Sequence, residues 1–119
     1  MMTCISNDHG YEEVFRKPLN TLLRKEDLLV VISSSGKSQN IINACATAIE
    51  KEVPLITLSG FRSDNPLRKL GDLNLYLEAL DYGLVEMGHF FLMHTVIDSW
   101  KIGAPKKALE KQLASLVHA

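Results

Sequence analysis

Nothing in this 119-residue chain is in marked excess. Lys and Arg number 13 and Asp and Glu 14, a formal net charge of -1, with no block of five like charges. A nucleic-acid footprint needs a basic patch, so that class of partner is excluded. Cysteine is scarce: Cys4 and Cys45 are far apart and outside any CxxC pair. A disulfide scaffold would be denser, which points to reduced thiols and a cytoplasmic protein. The longest apolar run, Phe90-Phe91-Leu92-Met93, is far too short to span a bilayer, so no membrane partner is expected. Met1-Met2-Thr3-Cys4 has no cationic stretch leading into a long apolar one, and no secretory signal is visible. Repeats, low-complexity tracts and long linkers are missing as well.

What is present suits one domain over residues 1–119. A chain of this length buries about 65% of its unfolded surface, and 46% hydrophobic residues can fill the core. Ser6 to Gly10 reads as a loop and Tyr11 to Leu23 as helix, broken or restarted at Pro18. Leu28-Leu29-Val30-Val31-Ile32 is a continuous aliphatic run of strand length, the kind that suits a parallel strand covered on both faces. Helical spacing follows in Ile41, Ile42, Cys45, Ala48 and Ile49, stopped by Pro54. Leu55 to Leu58 is a second strand, and Asn65-Pro66 starts a short helix. Leu73, Leu75 and Leu77 alternate with polar residues in a third, edge-like strand. Helices from Leu84 to Trp100 and from about Pro105 to Val117 complete an α-β-α-β-α-β-α-α order. That order predicts an α/β fold, a parallel sheet sandwiched between helices in three layers.

Ligands of open α/β sheets bind at the carboxyl ends of the strands. There the chain carries Ser33-Ser34-Ser35-Gly36-Lys37-Ser38, between the first strand and a helix that starts near Gln39. Free N–H groups and the positive end of the helix dipole favour an anion. The hydroxyls donate further hydrogen bonds, and Gly36 permits close backbone approach. A plain helix N-cap would account for one serine; four exceed that need and point to phosphate. Gly36-Lys37-Ser38 imitates the end of a nucleotide P-loop, but the glycine required five positions before Gly36 is Val31, so a nucleotide cradle is not expected.

Ile32 to Asn40 resembles the signature turn of SIS (sugar isomerase) domains. Ser6-Asn7-Asp8-His9-Gly10-Tyr11-Glu12 is similar to the loop preceding it in the phosphoheptose isomerase branch. Thr57-Leu58-Ser59-Gly60 and the helix from Val85 to Asp98 continue the likeness in order. The resemblance implies a flavodoxin-like sheet, homo-oligomers with shared active sites, and interconversion of aldose and ketose phosphates such as sedoheptulose 7-phosphate, often with zinc. It implies that Ser33, Ser34, Ser35 and Ser38 hold the phosphate and that Asp8 contacts the sugar. Glu86 stands where the branch has a glutamine metal ligand, and His94 matches its histidine, as ligand or proton-transfer group; glutamate ligates zinc too. The family's N-terminal helical region, first strand, and glycine-rich loop with its helix bearing a histidine and a glutamate find no match. The resemblance therefore implies the second part of a longer family member, N-terminally incomplete, with an incomplete zinc site and weak or no activity alone.

From the residues alone, Glu86 and His94, eight apart on roughly one helix face, read rather as a satisfied, buried hydrogen-bonded pair in an apolar helix. His89 reads as packing or interface, His9 as surface and His118 as tail. Two functions stay open: a phosphosugar isomerase of the phosphoheptose type, and a non-catalytic phosphosugar-sensing or protein-interaction module that kept the phosphate site.

Overall fold

The protein is described here from a computed structural model covering residues 1–102. The expected final helix from Pro105 to Val117 lies outside the described residues. The chain divides into two compact units, Met1–Glu86 and a second from Met87 onward.

The first unit opens with α1, Met2–His9, and a 3₁₀ turn, Tyr11–Glu13, followed by α2, Arg16–Leu22. Ser6 to His9 are thus helical rather than loop. The helix ends at Gly10, whose φ of 91° is left-handed and whose N–H donates to Ser6 O at 3.1 Å. The break before α2 falls at Val14 and Phe15 rather than at Pro18. Pro18 is the third residue of α2, where a missing N–H costs no helical bond.

β1 (Leu29–Ser33), β2 (Leu55–Ser59) and β3 (Leu73–Tyr76) form a parallel sheet in the order β1-β2-β3. The register aligns Ser33 with Ser59 and Ser59 with Tyr76, so the three strands end level with one another. β1 runs one residue beyond the aliphatic stretch because Ser33 still pairs with β2.

α3, Gln39–Glu50, turns its apolar stripe onto one sheet face. Val31, Cys45, Ala48, Val53, Leu55 and Leu67 are buried together there, with Leu29, Ile41 and Ile42 packed around them. Complete burial of a leucine such as Leu55 or Leu67 contributes about 1.5–3 kcal/mol. Glu52, at φ 57°, turns the chain from α3 toward β2. Lys51 Nζ donates to Asn20 O at 2.7 Å and to Leu23 O at 3.1 Å, fastening the end of α2 to that of α3.

The pleat sends Val30, Ile32, Ile56, Leu58, Leu73 and Leu75 to the opposite face. That face is aliphatic too, as a sheet sandwiched between helical layers requires. Leu58 is buried, whereas Val30 and Ile32 are 41% and 42% exposed.

α4, Tyr82–Lys101, begins in the first unit and continues into the second. Phe90, Phe91, Val96, Ile97 and Trp100 of the second unit are exposed, and His89 is buried. No helix among the described residues is long and apolar enough to cross a membrane.

Candidate phosphate-binding site

The turn between β1 and α3 is held by its carbonyls. Ser33 O accepts from Gly36 N at 3.0 Å, closing the turn on itself. Ser34 O accepts from Gly60 N at 2.9 Å, and Gly36 O from Leu67 N at 3.2 Å. These bonds direct the carbonyls toward the segment after β2. Gly36 has φ 64°, the left-handed conformation glycine adopts at no steric cost, and is buried.

The serines differ in their surroundings. Ser33 is 7% exposed and donates from Oγ to Ser38 Oγ at 3.2 Å. Ser34 and Ser35 are half-buried, and Ser35 Oγ accepts from Lys37 N at 3.3 Å. Ser38 is exposed and occupies the N-cap of α3, but its hydroxyl makes no capping bond. Its carbonyl begins the helix, accepting from Ile41 N and Ile42 N at 3.0 Å. The first-turn N–H of Ile41 is met by Asn40 Oδ1 at 2.9 Å, so the Ser38 hydroxyl, which accepts only from Ser33 Oγ, is not needed to cap the helix. Capping does not consume this serine.

The turn opens on a cleft of about 390 Å³ lined by Tyr11, Glu12, Ser38, Gln39 and Asn40. Asn43 holds the N-terminal segment against α3, donating from Nδ2 to Glu12 O and to Glu13 Oε1, both at 3.1 Å. Tyr11 and Glu12 of that segment line the cleft with Ser38; the family-like loop includes both, but neither is among the candidate site residues read from the sequence. Asp8 lies on the exposed side of α1, where its carboxylate accepts from Asn7 Nδ2 at 3.1 Å and from Cys4 Sγ at 3.6 Å.

A second cleft, about 780 Å³, lies past the ends of β2 and β3, at the same end of the sheet as the turn. Phe61, Arg62, Asp64, Tyr76, Glu78 and Asp81 are among its lining. Arg62 pairs with Asp64 at 2.9 Å, and hydrogen bonding from the guanidinium lowers the Asp64 carboxyl to about 2. The pair is solvent-exposed and adds little to stability. Tyr76 Oη donates to Phe61 O at 2.9 Å, and Arg68 stacks 4.2 Å above the Tyr76 ring.

Glu86 and His94 lie on α4, eight residues apart, and both are exposed rather than the buried pair the residues alone suggest, because this part of α4 leaves most of its side chains on the surface. The His94 ring rests against Phe90, centroids 4.4 Å apart. Among the described residues no three His, Cys, Asp or Glu side chains are grouped to hold a metal ion. A catalytic zinc takes three protein ligands and a water, so the described residues do not by themselves fit one.

Comparison with known proteins decides what kind of domain carries this turn. Residues 1–60 match the SIS domain family, a stretch covering α1, the serine turn, α3 and β2. The chain belongs to the SIS domain family. Among curated relatives of this SIS domain, it is 35% identical over 95 residues to the phosphoheptose isomerase of Campylobacter concisus, covering 80% of this chain and 50% of that one. With the phosphoheptose isomerase of Helicobacter pylori strain P12 it shares 34% identity over 97 residues, again 50% of the relative. The solved phosphoheptose isomerase of Neisseria gonorrhoeae superimposes with a TM-score of 0.77 at 33% identity, covering 82% of this chain and 55% of that one. That of Francisella tularensis gives 0.76 at 29% identity, covering 82% and 54%. The SIS domain described here thus has the α/β fold of these structures and spans about half the length of the relatives it matches.

Proposed function

We propose that this chain is the phosphate-holding part of a phosphosugar isomerase, interconverting an aldose and a ketose phosphate such as sedoheptulose 7-phosphate. The observation that carries the reading is the Ser33–Ser38 turn, with an N-cap hydroxyl not used for capping, in a chain similar to phosphoheptose isomerases. Ser33, Ser34, Ser35 and Ser38 are the phosphate's partners, and Asp8 is assigned to the sugar. Isomerisation moves a proton between adjacent carbons through an enediolate. It needs the phosphate anchored, a base near the carbons and stabilisation of the oxyanion. His94 is the residue this chain offers for proton transfer. If His94 instead serves as a metal ligand, it and Glu86 are the two zinc donors this chain offers, and the remaining ligands would come from another polypeptide segment. A bound zinc would supply Lewis-acid stabilisation of the oxyanion.

We place the protein in the cytoplasm, on the strength of its two free thiols, Cys4 exposed and Cys45 buried. Self-association with a second copy is supported by the apolar residues on the surface: Val30 and Ile32 of β1, and Phe90, Phe91 and Trp100 of α4.

The test is deuterium uptake at the carbon next to the carbonyl when sedoheptulose 7-phosphate is incubated with the chain in D₂O. Uptake above the buffer rate that disappears in His94→Asn supports the isomerase. Tight binding of the sugar phosphate with uptake at the buffer rate would leave only a binding module. Lack of one general acid/base costs about 10²–10⁴-fold, so uptake by this chain alone is expected to be slow.

A further inference from the structure

Asn65 has no part in the assignment above, yet it is the most heavily bonded polar side chain near the turn. It is 1% exposed. Its Nδ2 donates to Arg62 O at 2.9 Å, to Ser59 Oγ at 3.1 Å and to Gly60 O at 3.2 Å. Its Oδ1 accepts from Arg68 N at 3.2 Å, capping the 3₁₀ turn Pro66–Lys69. One amide therefore gathers the end of β2, the loop after it and the start of the next turn. Capping alone would use Oδ1 and leave the amide nitrogen free to face solvent.

The same side chain is the wall against which the serine turn is built. A Cβ added to Gly36 would overlap Asn65 Oδ1 and Cγ and lie 2.9 Å from its Cβ. The two backbone bonds that tether the turn, Gly60 N to Ser34 O and Leu67 N to Gly36 O, come from residues on either side of Asn65. Gly60 is one that Asn65 itself contacts. Movement of the Asn65 amide would remove the surface on which Gly36 rests and free Gly60 O and Arg68 N, groups next in the chain to the two tethers.

We propose that Asn65 is a positioning residue for the phosphate site: it holds Gly36 left-handed and the carbonyls of Ser34 and Gly36 turned away, so that the turn presents N–H and hydroxyl groups to an anion. The proposal rests on reading the serine turn as the phosphate site. Asn65 itself touches no substrate. A carbonyl swung toward the anion would repel it, so affinity should suffer more than stability does.

The experiment is a double-mutant cycle read by calorimetry with sedoheptulose 7-phosphate and inorganic phosphate, each variant also melted thermally. Asn65→Gly should weaken both ligands at least tenfold. The buried-core control Val53→Ala, though destabilised, should bind as wild type does. Gly36→Ala should weaken binding strongly in the wild-type background and less in the Asn65→Gly background, where the overlapping atoms are gone and only the cost of a left-handed alanine remains. If Asn65→Gly fails to fold, Asn65→Ala, which removes the overlapping Oδ1 and Cγ and leaves only the Cβ contact, takes its place in the cycle. Wild-type affinity in a folded Asn65 variant, or equal Gly36→Ala effects in both backgrounds, overturns the proposal. Failure of the wild-type chain to bind either ligand overturns the phosphate-site reading beneath it, a distinguishable result.

Discussion

Replacing Ser35 and Ser38 together by alanine separates binding from folding, because the structure gives these hydroxyls little folding work. A capping serine contributes about 1 kcal/mol, but Ser38 makes no capping bond and reaches only Ser33 Oγ, at 3.2 Å. Ser35 accepts one long bond, 3.3 Å from Lys37 N, in an exposed setting. Stability should therefore fall by less than about 1 kcal/mol, and the melting temperature by no more than about 4 °C for a domain of this size. Binding is a different matter. A hydrogen bond to a charged group is worth about 1.5–3 kcal/mol, so loss of two weakens a phosphate ligand by at least about 10²-fold. Calorimetry with sedoheptulose 7-phosphate at pH 8, above the phosphate's second ionisation at about 6, measures this directly. A folded double mutant with unchanged affinity would remove the turn from the site. Affinity and melting temperature falling in proportion would refute the argument that the hydroxyls serve the ligand rather than the fold.

Burial pushes the Cys45 thiol up to about 11, from 9.0. The native thiol stays protonated while the unfolded one ionises, so stability is intact below pH 9 and is lost as pH rises toward 11, by roughly 2–3 kcal/mol in all. Urea unfolding at pH 8 and 10.5 should show a shallower decline in Cys45→Ala, and an equal decline would contradict the shift. Iodoacetamide should alkylate exposed Cys4 and spare Cys45 until the chain unfolds. With no three-donor group among the described residues, dialysis against a chelator should leave well under one zinc per chain; stoichiometric retention by a monomer would show otherwise. Light scattering at micromolar concentration should find species larger than a monomer, and monomer alone would count against self-association.

The strands and α3 were legible because their signals are periodic. Leu28 to Ile32 is a continuous aliphatic run, Leu55 to Leu58 is one broken only by Thr57, and Ile41 to Ile49 keep helical spacing, so the sheet and the helix above it could be read directly. α1 was not legible. It buries no residue and so has no apolar stripe to give it away. Its polar tail, Ser6 to His9, reads as loop for the same reason. The serine turn was plain from its composition, but that Ser38 leaves its cap bond unmade could not be read there. Asn65 shows the limit most clearly. Its place before Pro66 announced a helix start, and it does cap Arg68 N. Its fit against Gly36 joins segments far apart in the chain, and no local pattern encodes such a contact.

β1 has the sequence of an interior strand and the position of an outer one in the described sheet. Leu28 to Ile32 are five consecutive aliphatic residues with no charge, proline or glycine, close to the composition that stacks into cross-β fibrils. Outer strands are usually blunted by a lysine, a proline or a bulge, and β1 carries none of these within its length. The charges nearest to it are the flanking Arg24, Lys25, Glu26 and Asp27 on one side and Lys37 on the other, which are left to act as gatekeepers. The strand that delivers the serines to their turn is thus also a segment open to amyloid-like pairing, and whatever lies along its outer edge protects solubility as well as geometry.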